Sequence, residues 1–282
     1  GKGYPRVQHV RQELIDAVPE ICAERALLIT ESYRETEGKP FVLRKARALE
    51  KILSEMSIFI EDGQLIVGNQ ASRLRAAPIF PEYSIDWVIE ELDTFDKRSG
   101  DVFAISEDTK EKLRVIHDFW HGKTHQDEVF ANMSEENMLA GKQNVLHRGG
   151  ISMSGDGHVI PHHEKVLAKG FRGIQREAEA ELENENLTQG QRDFYKAVII
   201  ALEAAIQFAK RFADLAIRME KEENDPERKA ELQRIAEINT RIFEGRAQTF
   251  HEALQVVYYC HLLMMIESNG HSFSFGRFDQ YM

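Results

Sequence analysis

Apolar residues recur every three or four positions along most of this chain, the spacing that turns one face of an α-helix toward a core. The pattern runs from Val7 to Thr36, with Pro19 either starting a second helix or kinking the first. It resumes from Phe41 to Phe59, where Leu43, Ala46, Leu49, Ile52, Leu53 and Met56 share a face. Phe80-Pro-Glu-Tyr-Ser84 leads into a helix reaching about Phe95, and Ser106 caps another that runs to Trp120. The most regular stretch is Thr188 to about Glu222, which repeats Val198, Leu202, Ala205, Phe208, Phe212, Leu215 and Met219. Asp225-Pro226 opens a further helix with a charged outer face. Phe250 to Ile266 is apolar nearly all round, which predicts a helix buried in the body of the fold.

Two segments depart from the helical period. Gln64-Leu-Ile-Val-Gly68 follows an Asp62-Gly63 turn and reads as a strand. Lys142 to Pro161 is rich in glycine and has no helical repeat, so it reads as extended or loop structure. The expected fold is mainly α with a few strands. No repeat, low-complexity tract or Ser/Pro-rich linker marks an internal boundary between residues 1 and 282.

Composition narrows the class. The 282 residues are 42% hydrophobic and 29% charged, values of an ordered globular chain, and the net charge of −11 argues against nucleic acid or an anionic membrane as partner. Two cysteines, Cys22 and Cys260, form no CxxC pair and no disulfide framework, which favours a reducing compartment. The first residues lack the apolar run of a signal peptide, and Val256 to Ile266 is too short to span a bilayer. A cytoplasmic protein is expected.

Candidate chemistry concentrates in two places. Ser154-Gly-Asp-Gly-His-Val-Ile-Pro161 presents His158 from a Gly-rich turn, where it either donates a hydrogen bond or proton to a substrate group or is satisfied within its own loop. The last residues, from Glu267 on, set Asn269, His271, Ser272, Ser274, Arg277 and Asp279 among glycines directly after the apolar helix. A polar pocket on a short connection held by a rigid element suits recognition of hydroxyl or amide groups, and a simple chain reversal suits it equally. His158, His162 and His163 lack recognisable zinc spacing, because Pro161 breaks any helix that would align His158 with His162. No metal is expected, and His162 and His163 are read as solvent-facing at a helix start. Gly155-Asp-Gly157 is too short for a phosphate loop, and no GxSxG elbow or convincing triad order occurs. Cys260 and His261 point to different helix faces, so Cys260 reads as packing.

Several motifs together resemble glycyl radical enzymes. They are Ile66-Val-Gly-Asn69 with Arg73, Phe80-Pro-Glu-Tyr83, Gly157-His158 ahead of Glu164-Lys-Val-Leu167 and Gly170, and Ser274-Phe-Gly-Arg-Phe-Asp-Gln280. They match, in order, the N-terminal part of the pyruvate formate-lyase-like domain, particularly its glycerol, diol and hydroxyproline dehydratase branch. The resemblance implies that residues 1–282 are one portion of a single domain, contributing to a ten-stranded α/β barrel ringed by helices. It implies dehydration of glycerol or 1,2-propanediol to an aldehyde: a glycyl radical makes a thiyl radical, the thiyl takes a substrate hydrogen, and the substrate radical loses a hydroxyl as water. It further implies a radical SAM activating enzyme that installs the glycyl radical, and a homodimer as the full-length protein.

By the same resemblance His158 is the catalytic and substrate-contacting histidine, and His271 with Ser272 grips the diol. Asn269 and Asp279 are assigned structural parts, shaping the turn and holding a strand that follows. The radical cysteine, its neighbouring glutamate base and the radical glycine have no counterpart here: neither Cys22-Ala-Glu nor Cys260-His-Leu matches a Gly-Cys-Val-Glu loop. The chain alone is therefore expected to bind no cofactor and to be inactive. Alternatives are a carbon–nitrogen or carbon–sulfur lyase of the choline or isethionate type, a pyruvate formate-lyase-like acyltransferase, or an inactive helical ligand-binding module. The buried helix at 250 to 266 is expected to lack its covering surface when these residues stand alone.

Overall fold

Thr188 begins the longest helix with a reciprocal cap: its hydroxyl accepts from the Gln191 amide while the Gln191 side chain reaches back to the Thr188 N–H. The computed structural model describes residues 4–145, 153–155, 157–269 and 272–282. Among these, helices dominate: α1 (Pro5–Asp16), α2 (Glu24–Glu35), α3 (Phe41–Glu55), α4 (Asp86–Glu90), α5 (Glu107–Trp120), α6 (His125–Ala131) and α7 (Glu135–Lys142). They continue as α8 (His163–Leu182), α9 (Gln189–Glu222), α10 (Pro226–Arg241), α11 (Phe250–Glu267) and α12 (Phe278–Tyr281).

Helix α9 is the central rod, with α3, α8 and α10 laid against it. Its inward residues Ala205, Phe208, Ala209, Phe212 and Ala216 are almost fully buried. The small alanines let neighbours approach while the two phenylalanines fill the seam, Phe208 and Phe212 both meeting Tyr259 of α11 edge-on or tilted at 6.1 Å. Helix α11 is not short of cover: Val256, Val257, Tyr259, Leu262, Leu263 and Ile266 are all buried within this chain. The expectation that this helix would stand uncovered is therefore corrected.

The strands differ from the sequence reading. Pro19 does not join two helices; it precedes β1 (Glu20–Cys22), which pairs in parallel with β2 (Ala76–Pro78) in the register Ile21 to Ala77. Ala104 bridges the other side of β1. Gln64 to Gly68 forms no strand. Instead the Gln255 carboxamide of α11 takes the place of a strand neighbour, its oxygen accepting from Val67 N–H and its nitrogen donating to Val67 C=O, both at 2.8 Å. A buried side-chain amide thus satisfies the backbone of an apolar segment that alternation alone assigns to a sheet. Gly68 allows the close approach, since a Cβ there would lie 2.6 Å from Leu262 Cδ2. Asn69, next along, receives Phe59 N–H and donates to the Ser57 and Ala71 carbonyls, which explains the Val-Gly-Asn motif as architecture.

One buried ion pair ties the N-terminal half to the end of α11. Arg25 makes two hydrogen bonds to the Glu82 carboxylate (2.6 and 3.1 Å) and lies over the Phe80 ring. It also donates to the Ile266 and Glu267 carbonyls, closing the C-terminus of α11 with a cation. That places the residues after Glu267 on a fixed support.

Candidate functional site

Two segments converge beyond that support. The C-terminal end of α11 delivers Ser268 and Asn269, and the glycine-rich stretch before α8 delivers residues 153–162. Asn269 Oδ1 accepts from Gly155 N–H at 2.6 Å, and Gly155 sits so close to Ser268 that a Cβ would lie 2.6 Å from its Cβ. Further along, Ser274 N–H donates to Val159 C=O at 3.0 Å, and Gly276 meets Ile160. These two hydrogen bonds fasten the segments to each other before and after His158 and Ser272. Ser84 Oγ, itself receiving Trp87 Nε1–H, donates to Met153 C=O and anchors the same loop from the residues just before α4.

His158 and Ser272 are both exposed, and both hold left-handed backbone (φ +56° and +58°). Non-glycine residues with positive φ cost about 1–3 kcal/mol and cluster where function needs a particular side-chain direction. His271 lies outside the described residues. Asn269 and Asp279 take structural parts, Asn269 as the fastener above and Asp279 in an ion pair with Arg277 (2.9 Å). Among the described residues Asp279 itself lies in the short helix α12 rather than in a strand.

The neighbouring histidines correct the sequence reading in one respect. His162 is exposed, but His163 is buried, stacked on Tyr281 at 5.0 Å with neither ring nitrogen hydrogen-bonded. Burial, with His261 nearby, holds the His163 imidazole below its ordinary value and therefore neutral. His261 is likewise lowered by burial and stacks on Phe275 at 4.8 Å. The C-terminal segment thus roofs both rings; sequence periodicity gave no sign of that roof.

Neither cysteine is presented as a thiolate nucleophile. Cys22 is buried against Ser72 Oγ, and burial pushes the Cys260 thiol up to about 12, keeping it protonated. A surface cleft of about 810 Å³, lined by Glu20, Cys22, Leu28, Ser72 and Arg73 among others, includes neither His158 nor Ser272. What the paired segments offer is a strained histidine and a strained serine on a fixed polar rim. Around them lie exposed apolar side chains, Met153, Val159, Ile160, Phe275 and Phe278. Such a surface can orient a small hydroxylated molecule once covered.

A model of the pyruvate formate lyase-like family matches residues 3–282. Among solved structures, the chain superposes on the glycerol-bound B12-independent glycerol dehydratase of Clostridium butyricum with a TM-score of 0.96 and 40% identity, over all of this chain and 36% of that one. It is 36% identical to (2S)-3-sulfopropanediol dehydratase of Klebsiella oxytoca, over 99% of this chain and 35% of the relative. It is 32% identical to isethionate sulfite-lyase of Oleidesulfovibrio alaskensis, over 99% of this chain and 36% of that relative. The chain thus spans about a third of the length of the relatives it matches.

Proposed function

Since this chain belongs to the pyruvate formate lyase-like family, we propose that the protein carrying it is a glycyl radical eliminase that removes water from a small diol, glycerol or 1,2-propanediol. In this reading residues 1–282 are the N-terminal portion of one domain whose ten-stranded α/β barrel is completed by other sequence. The glycyl radical, installed by a radical SAM activating enzyme, supplies hydrogen-atom abstraction through a cysteine elsewhere in the protein. The sequence contexts Cys22-Ala-Glu and Cys260-His-Leu, neither of them a Gly-Cys-Val-Glu loop, support assigning that cysteine elsewhere. The working protein is a homodimer in the cytoplasm.

The part of this chain is to hold and polarise the diol. His158 contacts the hydroxyl that departs and delivers a proton or a strong hydrogen bond to its oxygen, so that the leaving group is water rather than hydroxide. His271 and Ser272 hold the other hydroxyl and fix which carbon faces the radical. The observation that carries this reading is the pair of left-handed residues, His158 and Ser272, on segments fastened by the Ser274–Val159 and Gly155–Asn269 hydrogen bonds. Strain of that kind persists where the direction of a side chain matters.

In the complete activated enzyme, His158→Ala lowers kcat/KM for the diol by about 100-fold or more, the range for loss of a general acid. Ser272→Ala lowers it about tenfold, as expected for one lost substrate hydrogen bond. The glycyl radical signal in electron paramagnetic resonance stays intact in both. Unchanged kinetics in His158→Ala would sink the assignment. The isethionate relative favours a second reading, carbon–sulfur cleavage. Turnover of isethionate in place of diols by the unaltered enzyme would select it.

A further inference from the structure

A separate constellation sits where α4 meets α5. Asp86 opens α4, His117 lies on the last turn of α5, and His121 follows one turn later as its C-cap. Residues four apart on a helix project side by side, and here the two imidazoles lie 5.0 Å apart with planes 32° from parallel. Both are aimed at one carboxylate oxygen: His117 Nε2 is 3.0 Å and His121 Nδ1 2.8 Å from Asp86 Oδ1. One ligand atom from each of the three side chains falls within 4.8 Å of the others.

We infer that Asp86, His117 and His121 form a binding site for a divalent transition-metal ion, with Zn²⁺ the best match. A tetrahedral ion with bonds of about 2.0–2.1 Å needs ligand atoms roughly 3.3 Å apart, so each imidazole nitrogen has to move a few tenths of an ångström away from Asp86 Oδ1 to admit it. Two imidazoles and one carboxylate suit zinc and its neighbours in the transition series, whereas Mg²⁺ and Ca²⁺ prefer oxygen-only shells.

The supports are rigid. Helix α5 is capped by Ser106 and buries Leu113, Ile116 and Trp120. Helix α4 buries Val88, and its Trp87 packs edge-on to Phe95 at 6.0 Å while donating to Ser84 Oγ. Ligands on packed helices hold their geometry better than ligands on loops. The outer side is open, with the His121 side chain 63% exposed, so water can complete the shell. Asp118, 3.9 Å from His117 Nδ1, supplies a carboxylate on the far side of that ring.

The competing account is that Asp86 merely clamps α4 to α5 through two imidazole hydrogen bonds. Titration calorimetry of the intact protein with ZnCl₂, after removal of bound metal by chelation, separates the two. The site predicts uptake of one equivalent at micromolar affinity that His121→Ala weakens by at least tenfold, the order expected for losing one ligand of three. Co²⁺ substitution should give visible d–d bands of a low-symmetry four- or five-coordinate ion, absent in the His117→Ala/His121→Ala double variant. His121 is largely exposed, so its single variant keeps the fold, which far-ultraviolet circular dichroism verifies. Absence of uptake up to 1 mM ZnCl₂ in the unaltered protein, or uptake that the double variant leaves unchanged, overturns the inference.

Discussion

At the scale of single residues, the informative side chains are those whose environment contradicts their chemistry. His163 is an imidazole with no hydrogen-bond partner at either nitrogen, kept neutral by burial. Its folded-state pKa lies below the ordinary 6.5. The unfolded chain therefore binds the proton more readily, and the stability contribution of a neutral His163 is full above 6.5 and lost as pH falls below it. His261 has the same sign. Urea denaturation between pH 8 and pH 5 should show stability declining below about 6.5, and His163→Leu should flatten that decline. An unchanged pH slope in the variant would show that another group is responsible. The glycine neighbours of His158 and Ser272 in the sequence mark them as candidates and agree with the left-handed backbone that both adopt. It could not reveal the burial of His163, which Tyr281 covers from the far end of the chain. His117 and His121 did carry a signal, two histidines four apart on a well-capped helix, but their partner Asp86 joins them only through tertiary packing.

At the scale of elements, helices with strong periodicity and clear caps were legible to within a residue or two. Helices α5, α9, α10 and α11 start at Ser106, Thr188, Asp225 and Thr249, each of which accepts a backbone N–H in its side chain. The strands were not legible. Strands β1 and β2 are three residues each and pair in parallel across more than fifty positions, too short for alternation to register. Gln64 to Gly68 has a strand's composition, yet its hydrogen bonds go to Gln255, a residue that no local reading connects to it. The Arg25–Glu82 pair is the element-level joint most exposed to disruption. Removing one member of a buried ion pair leaves a charge without compensation and costs about 3–5 kcal/mol. Arg25→Met should therefore destabilise the fold by that order in urea denaturation followed by tryptophan fluorescence. A loss below about 1 kcal/mol would mean that Glu82 finds water or another donor.

At the scale of the whole molecule, the apolar surface is distributed unevenly. The core is closed within the chain, α11 included, while Val159, Ile160, Phe275 and Phe278 remain exposed around the paired segments. Contiguous apolar surface beside a polar rim marks an interaction face. Expressed alone, the 282 residues should self-associate through it. Sedimentation velocity should show species larger than a monomer, reduced by Ile160→Lys with Phe278→Lys. A monodisperse monomer at high concentration would count against an unfinished face.

Helix α8 carries a consequence of a mechanical kind. At Gly170 the backbone turns left-handed (φ +65°, ψ 170°), and Arg172 N–H bonds to Phe243 C=O while Leu167 C=O accepts from Ala247 N–H. The loop between α10 and α11 thus clasps α8 at its break, and no continuous helical ladder passes through that point. The turn that follows the His158 loop and the half that rests on α9 are therefore two helical segments rather than one rigid rod. The break makes Gly170 a joint at which the two halves of α8 can bend independently of the helical ladder.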